Sequence, residues 1–366
     1  LIWDTMRGWT TTGISDAFLQ ADDNAAEIAT SDYGGPNSTG FDMNGTIGTD
    51  SDGIYIAIRR PDPLVQKPAE AGTDVFTMVA GTPAANGNPT YITNGVRDFV
   101  IARQPATTEN WNNFSRLTQG TNMLLNTTAA ESALSVHQAD FNNGMVDATA
   151  SDVANYQGWL WKRHAGFDVV CYEGNGSAGH VIPHSMNKIP EMMWIRRRNA
   201  TEHWEIYHKG LNGGTNPQNY GIKFFDTAEH SSGSDRWDAP TATSITVNTD
   251  NGTNNSSGTF IAMLFASVDG ISKVGYFDGS SSAQTITTNF APRFLIIRKS
   301  NGAGDWLVID TIRGWASGND NYMMLNSNAA QAADTDFGAP TSTGFTLTTG
   351  SQWNASGSKY IYYCHA

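Results

Sequence analysis

An arginine followed eight residues later by a tryptophan, inside the same strand–turn–strand phrase, occurs three times in this chain. Repetition at that scale restricts the fold to copies of one unit. The phrases are "VRDFVIARQPATTENWNNFSRL" (96–117), "IPEMMWIRRRNATEHWEIYHKGL" (189–211) and "APRFLIIRKSNGAGDWLVIDTIRGW" (291–315). Arg103, Arg196 and Arg298 hold one place in them, and Trp111, Trp204 and Trp306 another. Further landmarks keep the same order. "NMLLNTTAAE" answers "YMMLNSNAAQ", with "DDNAAE" (22–27) as an echo, and "GGPNSTGFDM" answers "GAPTSTGFTL". Every copy closes on an apolar run: "GIYIAIRR", "YQGWLWKR", "GTFIAMLFAS" or "SKYIYYCHA".

These matches divide the chain into modules at 73–164, 165–268 and 269–366. Residues 1–60 form the C-terminal part of a truncated module, because "LIWDTMRGW" matches "LVIDTIRGW" from the residue after the signature tryptophan. The stretch "PDPLVQKPAEAG" (61–72), with its three prolines, reads as a linker.

Within a module the pattern is that of strands. "FLIIR" and "MMWIR" are short apolar runs bounded by turn residues, and "TGFTLTTG" and "TSITVNTDNG" alternate apolar with polar side chains. Six or seven strands in about a hundred residues is the size of a two-sheet sandwich. The expected fold class is therefore all-β: tandem antiparallel two-sheet β-sandwich modules, each with its own small core. "NTTAAESAL" and "NSNAAQAAD" read as helices of one or two turns.

Composition narrows the function. The net charge is −13 and the densest basic spot is Arg196–Arg198, which argues against a nucleic-acid partner, since phosphates must be met by clustered Lys and Arg. No apolar run approaches the ~18 residues of a membrane helix, so membrane insertion is not expected. Cys171 and Cys364 lie in apolar runs and read as two buried free thiols.

Candidates for chemistry meet simpler readings. Trp111, Trp204 and Trp306 could stack on sugars, but one tryptophan at the same place in every module reads as a core anchor. Asp4 with Arg7, and Asp310 with Arg313, follow a strand at spacing three and read as turn-stabilising ion pairs. His180 and His184, with His203 and His208, would need to converge to hold zinc, and on strands the first two lie roughly 13 Å apart. The oxygen-rich loops "GTDSDG" and "NTDNGTNN" lack the acidic end of a twelve-residue calcium loop and read as hairpin turns. No catalytic, cofactor-binding or metal residue is expected. The repeated structural residues are Trp111, Trp204, Trp306, Arg103, Arg196 and Arg298.

The run "GFDVVCYEGNGSAGHVIPHSMNKIPEMMWIRRRNATEHWEIYHKGL", with "MLLNTTAA", "PTSTGF" and the terminal "NASGSKYIYYCHA", resembles repeat modules of marine bacteriophage virion proteins described as tail-fibre-like. The resemblance implies concanavalin-A-like (jelly-roll, lectin-like) sandwiches on the surface of a virus particle. It implies other virion proteins and a host cell-surface receptor, a glycan among the candidates, as partners, and a homo-oligomer, a trimer in a fibre. The expected function is non-enzymatic host-surface attachment. The alternatives are a capsid-surface or assembly protein, and a carbohydrate-binding or depolymerising protein with two carboxylates in one module only.

Overall fold

The computed structural model describes residues 1–3, 18–22, 24–28, 34–36, 41–43, 56, 71–82, 89–118, 120–134, 137–139, 141–147, 155–228, 231–349 and 352–366. The chain forms two compact bodies, Leu1–Asp62 and Pro63–Ala366. In the first, β1 (Gly34–Pro36) and β2 (Phe41–Met43) make an antiparallel hairpin. Isolated bridges join Ile2 to Leu19 and Phe18 to Ile28.

The second body contains the three whole modules. After the single-turn helix α1 (Gly72–Val75), the first of them supplies β3 (Phe76–Ala80), β4 (Tyr91–Ile92), β5 (Phe99–Arg103), β6 (Asn112–Ser115), β7 (Thr121–Leu124), β8 (Ser132–Ala133), β9 (His137–Gln138), β10 (Gly144–Asp147) and β11 (Gln157–Trp161). The next supplies β12 (Phe167–Glu173), β13 (His180–Pro183), β14 (Met192–Arg197), β15 (Trp204–His208), β16 (Tyr220–Lys223), β17 (Ser231–Ser232), β18 (Ser244–Val247), the short helix α2 (Asn251–Asn254) and β19 (Thr259–Phe265). The last supplies β20 (Ser272–Asp278), β21 (Gln284–Thr287), β22 (Phe294–Lys299), β23 (Leu307–Asp310), β24 (Asp320–Met324), β25 (Ala332–Thr335), β26 (Pro340–Thr341), β27 (Gly344–Leu347) and β28 (Lys359–His365).

The chain is all-β, and its three modules share one topology. Each has a six-stranded antiparallel sheet in which the closing strand inserts between the first and third: β3-β11-β5-β6-β7-β8, β12-β19-β14-β15-β16-β17 and β20-β28-β22-β23-β24-β25. A smaller sheet covers one face of each: β4-β10-β9, β13-β18 or β21-β27-β26. Side chains alternate across a strand. In the last module Leu295, Ile297, Leu307, Ile309, Tyr360 and Tyr362 therefore face the small sheet and fill the sandwich.

The other face of each large sheet is equally apolar and equally buried. Ile296, Val308, Met323, Ile361 and Tyr363 share a core with Ile101, Trp159 and Trp161 of the first whole module and Ile206, Met263 and Phe265 of the next. The three sandwich interiors remain separate. So each module has its own small sandwich core, as expected, and a further interior runs through all three modules. This explains why β5, β11, β15 and β23 are buried at every residue. A strand covered on both faces has no polar side to show, so it reads as an unbroken apolar run.

Two helix expectations fail. "NTTAAESAL" and "NSNAAQAAD" form turns leading into the edge strands β8 and β25. Conversely, "NTDNGTNN" is not a hairpin turn. Asp250 accepts the Gly252 N–H at 2.8 Å and caps the single helical turn α2, satisfying a donor that the turn leaves free.

Candidate functional site: the seams between modules

The repeated residues meet at the module boundaries. The Trp111 Nε1 donates to the carbonyls of Met324 and Ser327 in the last module, at 2.8 and 3.1 Å. Trp204 Nε1 donates to Leu124 O at 3.0 Å, and Trp306 Nε1 to Lys223 O at 2.8 Å. The sense is cyclic. The first whole module reaches the last, the last reaches the middle one, and the middle one reaches the first. Head-to-tail contacts of this kind close a ring when the rotation between copies fits.

Each arginine reinforces its tryptophan. Arg103 Nη2 donates to Asn328 O and Ala329 O at 3.3 and 2.9 Å. Arg196 Nη1 donates to Thr127 O at 2.9 Å, and its Nη2 to Ala129 O. Arg298 Nη1 donates to Lys223 O and Asp226 O at 2.6 and 3.1 Å, and its Nη2 to Ala228 O. The three guanidinium carbons lie 4.9, 5.8 and 5.1 Å from their tryptophan ring centroids, within cation–π range. A main-chain bond completes each seam: Glu109 N to Asn328 O, Glu202 N to Thr128 O and Gly304 N to Thr227 O.

All six side chains are at most 1 % exposed. Burial lowers the pKa of Arg103, Arg196 and Arg298 to about 10, which leaves them charged at neutral pH. Their charge is met by carbonyl dipoles at the seam, and a guanidinium with its planar fork of donors suits such a target better than an ammonium. The tryptophans are core anchors at the boundary between modules, not inside one sandwich.

The receiving turns explain the "NTTAA" and "NSNAA" landmarks. Asn126 Oδ1 accepts the Trp111 backbone N–H at 3.0 Å, and Asn326 Oδ1 that of Trp306 at 2.8 Å, so one asparagine orients its own module's tryptophan. The next residues turn their carbonyls outward to the neighbour's arginine. A helix would have consumed those carbonyls internally, which is the physical reason the helix expectation fails here.

Other contacts occur at one boundary only. Trp159 Nε1 donates to Asp310 Oδ2 at 3.0 Å, and Arg313 pairs with that same oxygen at 2.7 Å, its guanidinium 5.2 Å from the Trp159 ring centroid. Trp161 Nε1 donates to the Tyr363 hydroxyl at 3.2 Å. His208 Nδ1 accepts the Gly210 N–H at 2.9 Å, which leaves Nε2 to donate to Tyr362 O at 3.1 Å in the next module. Burial lowers the His208 pKa to about 3, outweighing the Tyr362 carbonyl, which favours the protonated ring. Sequence reasoning noted Asp310, Arg313 and His208 but not these partners, which lie on distant strands.

The remaining candidates disperse. His180 meets Asn254 and His184 meets Thr241 O, while His203 stacks on Phe225 at 4.3 Å. No group of three or more potential metal ligands occurs among the described residues. Asp4, Arg7 and "GTDSDG" lie outside the described residues. Glu205 lies within electrostatic range of Asp250. It is 3 % exposed and tied to Arg236 at 3.0 Å and Lys223 at 3.4 Å, out of reach of a polymer. Cys364 is buried, but Cys171 is exposed, correcting the expectation of two buried thiols. It sits on the edge strand β12, where alternate side chains point outward.

Fold and seams define a protein of repeated β-sandwiches, of which the three in residues 63–366 are joined into one closed body through arginine–tryptophan pairs. The family model described as a domain of unknown function, DUF7483, matches residues 149–366, and the chain belongs to that family. The match spans the last two modules and the closing strand β11 of the one before. No curated protein matches the chain, and no solved structure does.

Proposed function

We propose that the chain is a non-enzymatic bacteriophage virion protein, a tail-fibre or appendage component that acts at the virion surface in attachment to the host. The observation that carries the reading is the common sense of the three seams. It makes one compact body, residues 63–366, carry the same strand framework three times over. Loops held on a rigid scaffold are where recognition concentrates, and repeated weak contacts to a surface glycan or protein add through multivalency. A homo-oligomer remains part of the proposal, but threefold display does not depend on one, because a single chain supplies three modules. The test is binding of the labelled, purified chain to host cells, where saturable binding is expected. Absence of binding to every susceptible host, with the chain located in the capsid shell by immunogold labelling, would refute attachment.

A second reading has its own support. Val96 and Ile189 are exposed at one equivalent position, and Leu117 and Ile312 at another. Exposed apolar side chains recurring at equivalent places suit packing against other virion proteins in an assembly role. Replacing all four by serine should then abolish incorporation into particles while leaving cell binding intact.

A further inference from the structure

The repeated tryptophans are buried, but one aromatic ring is not. Among the described residues Tyr276 is the only exposed phenylalanine, tyrosine or tryptophan, at 48 %. It stands on the edge strand β20, two steps across the sheet from a seam arginine: Tyr276 faces Ile361, and Ile361 faces Arg298. The same two steps lead from Arg103 to Ala80 and from Arg196 to Cys171. The fold therefore asks for no aromatic side chain at this place.

The middle module clears the ground beneath the ring. A Cβ added at Gly210 would meet Cγ and Cδ1 of Tyr276 at 2.6 and 2.8 Å, and one at Gly214 would meet Oη, Cζ and Cε2 at 2.5, 2.8 and 3.4 Å. Cδ1 and Cε2 belong to opposite edges of the ring, so one of its faces lies along the turn. Leu117 and Ile312 hold the place of Gly210 in the sister modules, and their bulk would stand where the ring lies. The turn also adopts left-handed backbone at Asn212, Gly213, Gly214 and Asn216, with φ of 51°, 65°, 83° and 46°, a conformation that costs asparagine free energy.

Polar groups border the ring. Asp278, two residues on, shares its face of β20. Its Oδ1 accepts from Nζ of Lys359, directly opposite on β28, at 2.8 Å. The two side chains remain 78 % and 43 % exposed, and the Lys359 Nζ lies 3.2 Å from where a Cβ on Gly213 would stand. The middle module has Glu173 and Thr259 in their places, so ring and ion pair occur together at this one seam.

We infer that Tyr276, Asp278 and Lys359 form a binding site for a neutral hexopyranose unit of a polysaccharide. The C–H face of the sugar stacks on the outer face of the tyrosine, a flat apolar body with a polar tip. The Asp278 carboxylate, an acceptor only, takes two neighbouring hydroxyls, and the Lys359 ammonium donates to a third oxygen. A uronate or sialate is disfavoured, because Lys359 is already matched by Asp278 and the chain carries a net charge of −13. One stacked ring with a few hydrogen bonds binds weakly, so avidity comes from the number of chains side by side. The inference gives the attachment reading a ligand class and rests on that reading for its biological use.

Saturation-transfer NMR on the full chain tests this. The probes are the methyl glycosides of glucose, galactose, mannose and N-acetylglucosamine, with that of glucuronic acid as the charged comparator. Transfer to the ring C–H protons of at least one neutral glycoside is expected. It should vanish in Tyr276→Ala, persist in Cys171→Ala at the equivalent place, and show about tenfold weaker affinity in Asp278→Asn, which removes a charged acceptor. No transfer from any neutral glycoside, equal transfer from Tyr276→Ala, or a preference for the glucuronide overturns the inference. Where circular dichroism shows that Tyr276→Ala has lost its fold, Asp278→Asn decides, its side chain being exposed, and unchanged affinity overturns the site. Host-cell binding by the same variants keeps the two readings apart. A Tyr276→Ala chain that binds cells as the parent does overturns the glycan site and leaves attachment standing, whereas glycoside binding without cell binding does the reverse.

Discussion

Replacing Trp204 by phenylalanine should weaken all three modules, although the side chain belongs to one. The change removes the N–H that satisfies Leu124 O at 3.0 Å and leaves that half-buried carbonyl without it, a cost of ~1–3 kcal/mol. It also shrinks the ring that Arg196 covers at 5.8 Å, where a partly desolvated cation–π contact is worth about 0.5–2 kcal/mol. Together the loss is roughly 2–4 kcal/mol. If one interior spans the modules, that loss lowers the stability of the whole body. Hydrogen exchange by mass spectrometry separates the alternatives. Amides of β22 and β28, in a different module from the mutation, should exchange roughly 30- to 700-fold faster where they open only through global unfolding. Guanidinium unfolding followed by circular dichroism should remain a single transition with a lower midpoint. Faster exchange confined to 165–268, or separate transitions of which only one moves, would refute the shared-core argument.

Asp310→Asn should cost about 3–5 kcal/mol, because it strands the buried Arg313 guanidinium, and urea denaturation would measure it. His208 and His365 are neutral in the fold, each with a pKa lowered to about 3 by burial. The unfolded chain therefore binds protons that the fold refuses. Stability is full above the ordinary pKa of ~6.5 and falls as the pH drops from there toward 3, by about 3 kcal/mol per histidine at pH 4. His208→Gln should reduce the slope of stability against pH by one proton, about 1.4 kcal/mol per unit in that window. An unchanged slope would exclude His208 as a contributor. A thiol reagent should label Cys171 in the native protein and Cys364 only after denaturation. Gly338→Ala should lower the melting temperature, because φ is 102° there and an added Cβ would meet Thr346 O at 2.2 Å.

What could be read from the sequence followed from how side chains encode structure. Strand content, module order and the recurrence of Arg103, Arg196 and Arg298 with their tryptophans were legible, because repetition marks a position whatever it touches. The partners were not. Every acceptor of the repeated arginine–tryptophan pairs across the seams is a main-chain carbonyl, at Leu124, Thr127, Lys223, Met324 or Ala329 for example, and a carbonyl has no letter of its own. "NTTAA" was misread because alanine favours helices in isolation, whereas here the turn is held open by what its carbonyls must reach. The apolar runs "FLIIR" and "FVIAR" did contain the missing clue. A half-buried sandwich strand alternates, and these do not.

The seams also combine two kinds of residue with different jobs. The repeated pair would fit any module against any other, so by itself it leaves the order round the ring unspecified and invites exchange between chains. The contacts that occur once remove that freedom. Asp310 accepts Trp159 only where the last module meets the first whole one, and His208 reaches Tyr362 only where the middle module meets the last. At the place of Asp310 and His208 the first whole module has Ser115, which bonds within its own turn to Thr118. Exchanging Asp310 and His208 would set a carboxylate against the Tyr362 carbonyl and an imidazole against the Trp159 N–H. That double variant keeps the composition and all three arginine–tryptophan pairs. It should nevertheless lose the closed body, seen as faster exchange at Glu109, Glu202 and Gly304, whose amides report one seam each. Unchanged protection at all three would mean that the repeated pairs alone decide the order.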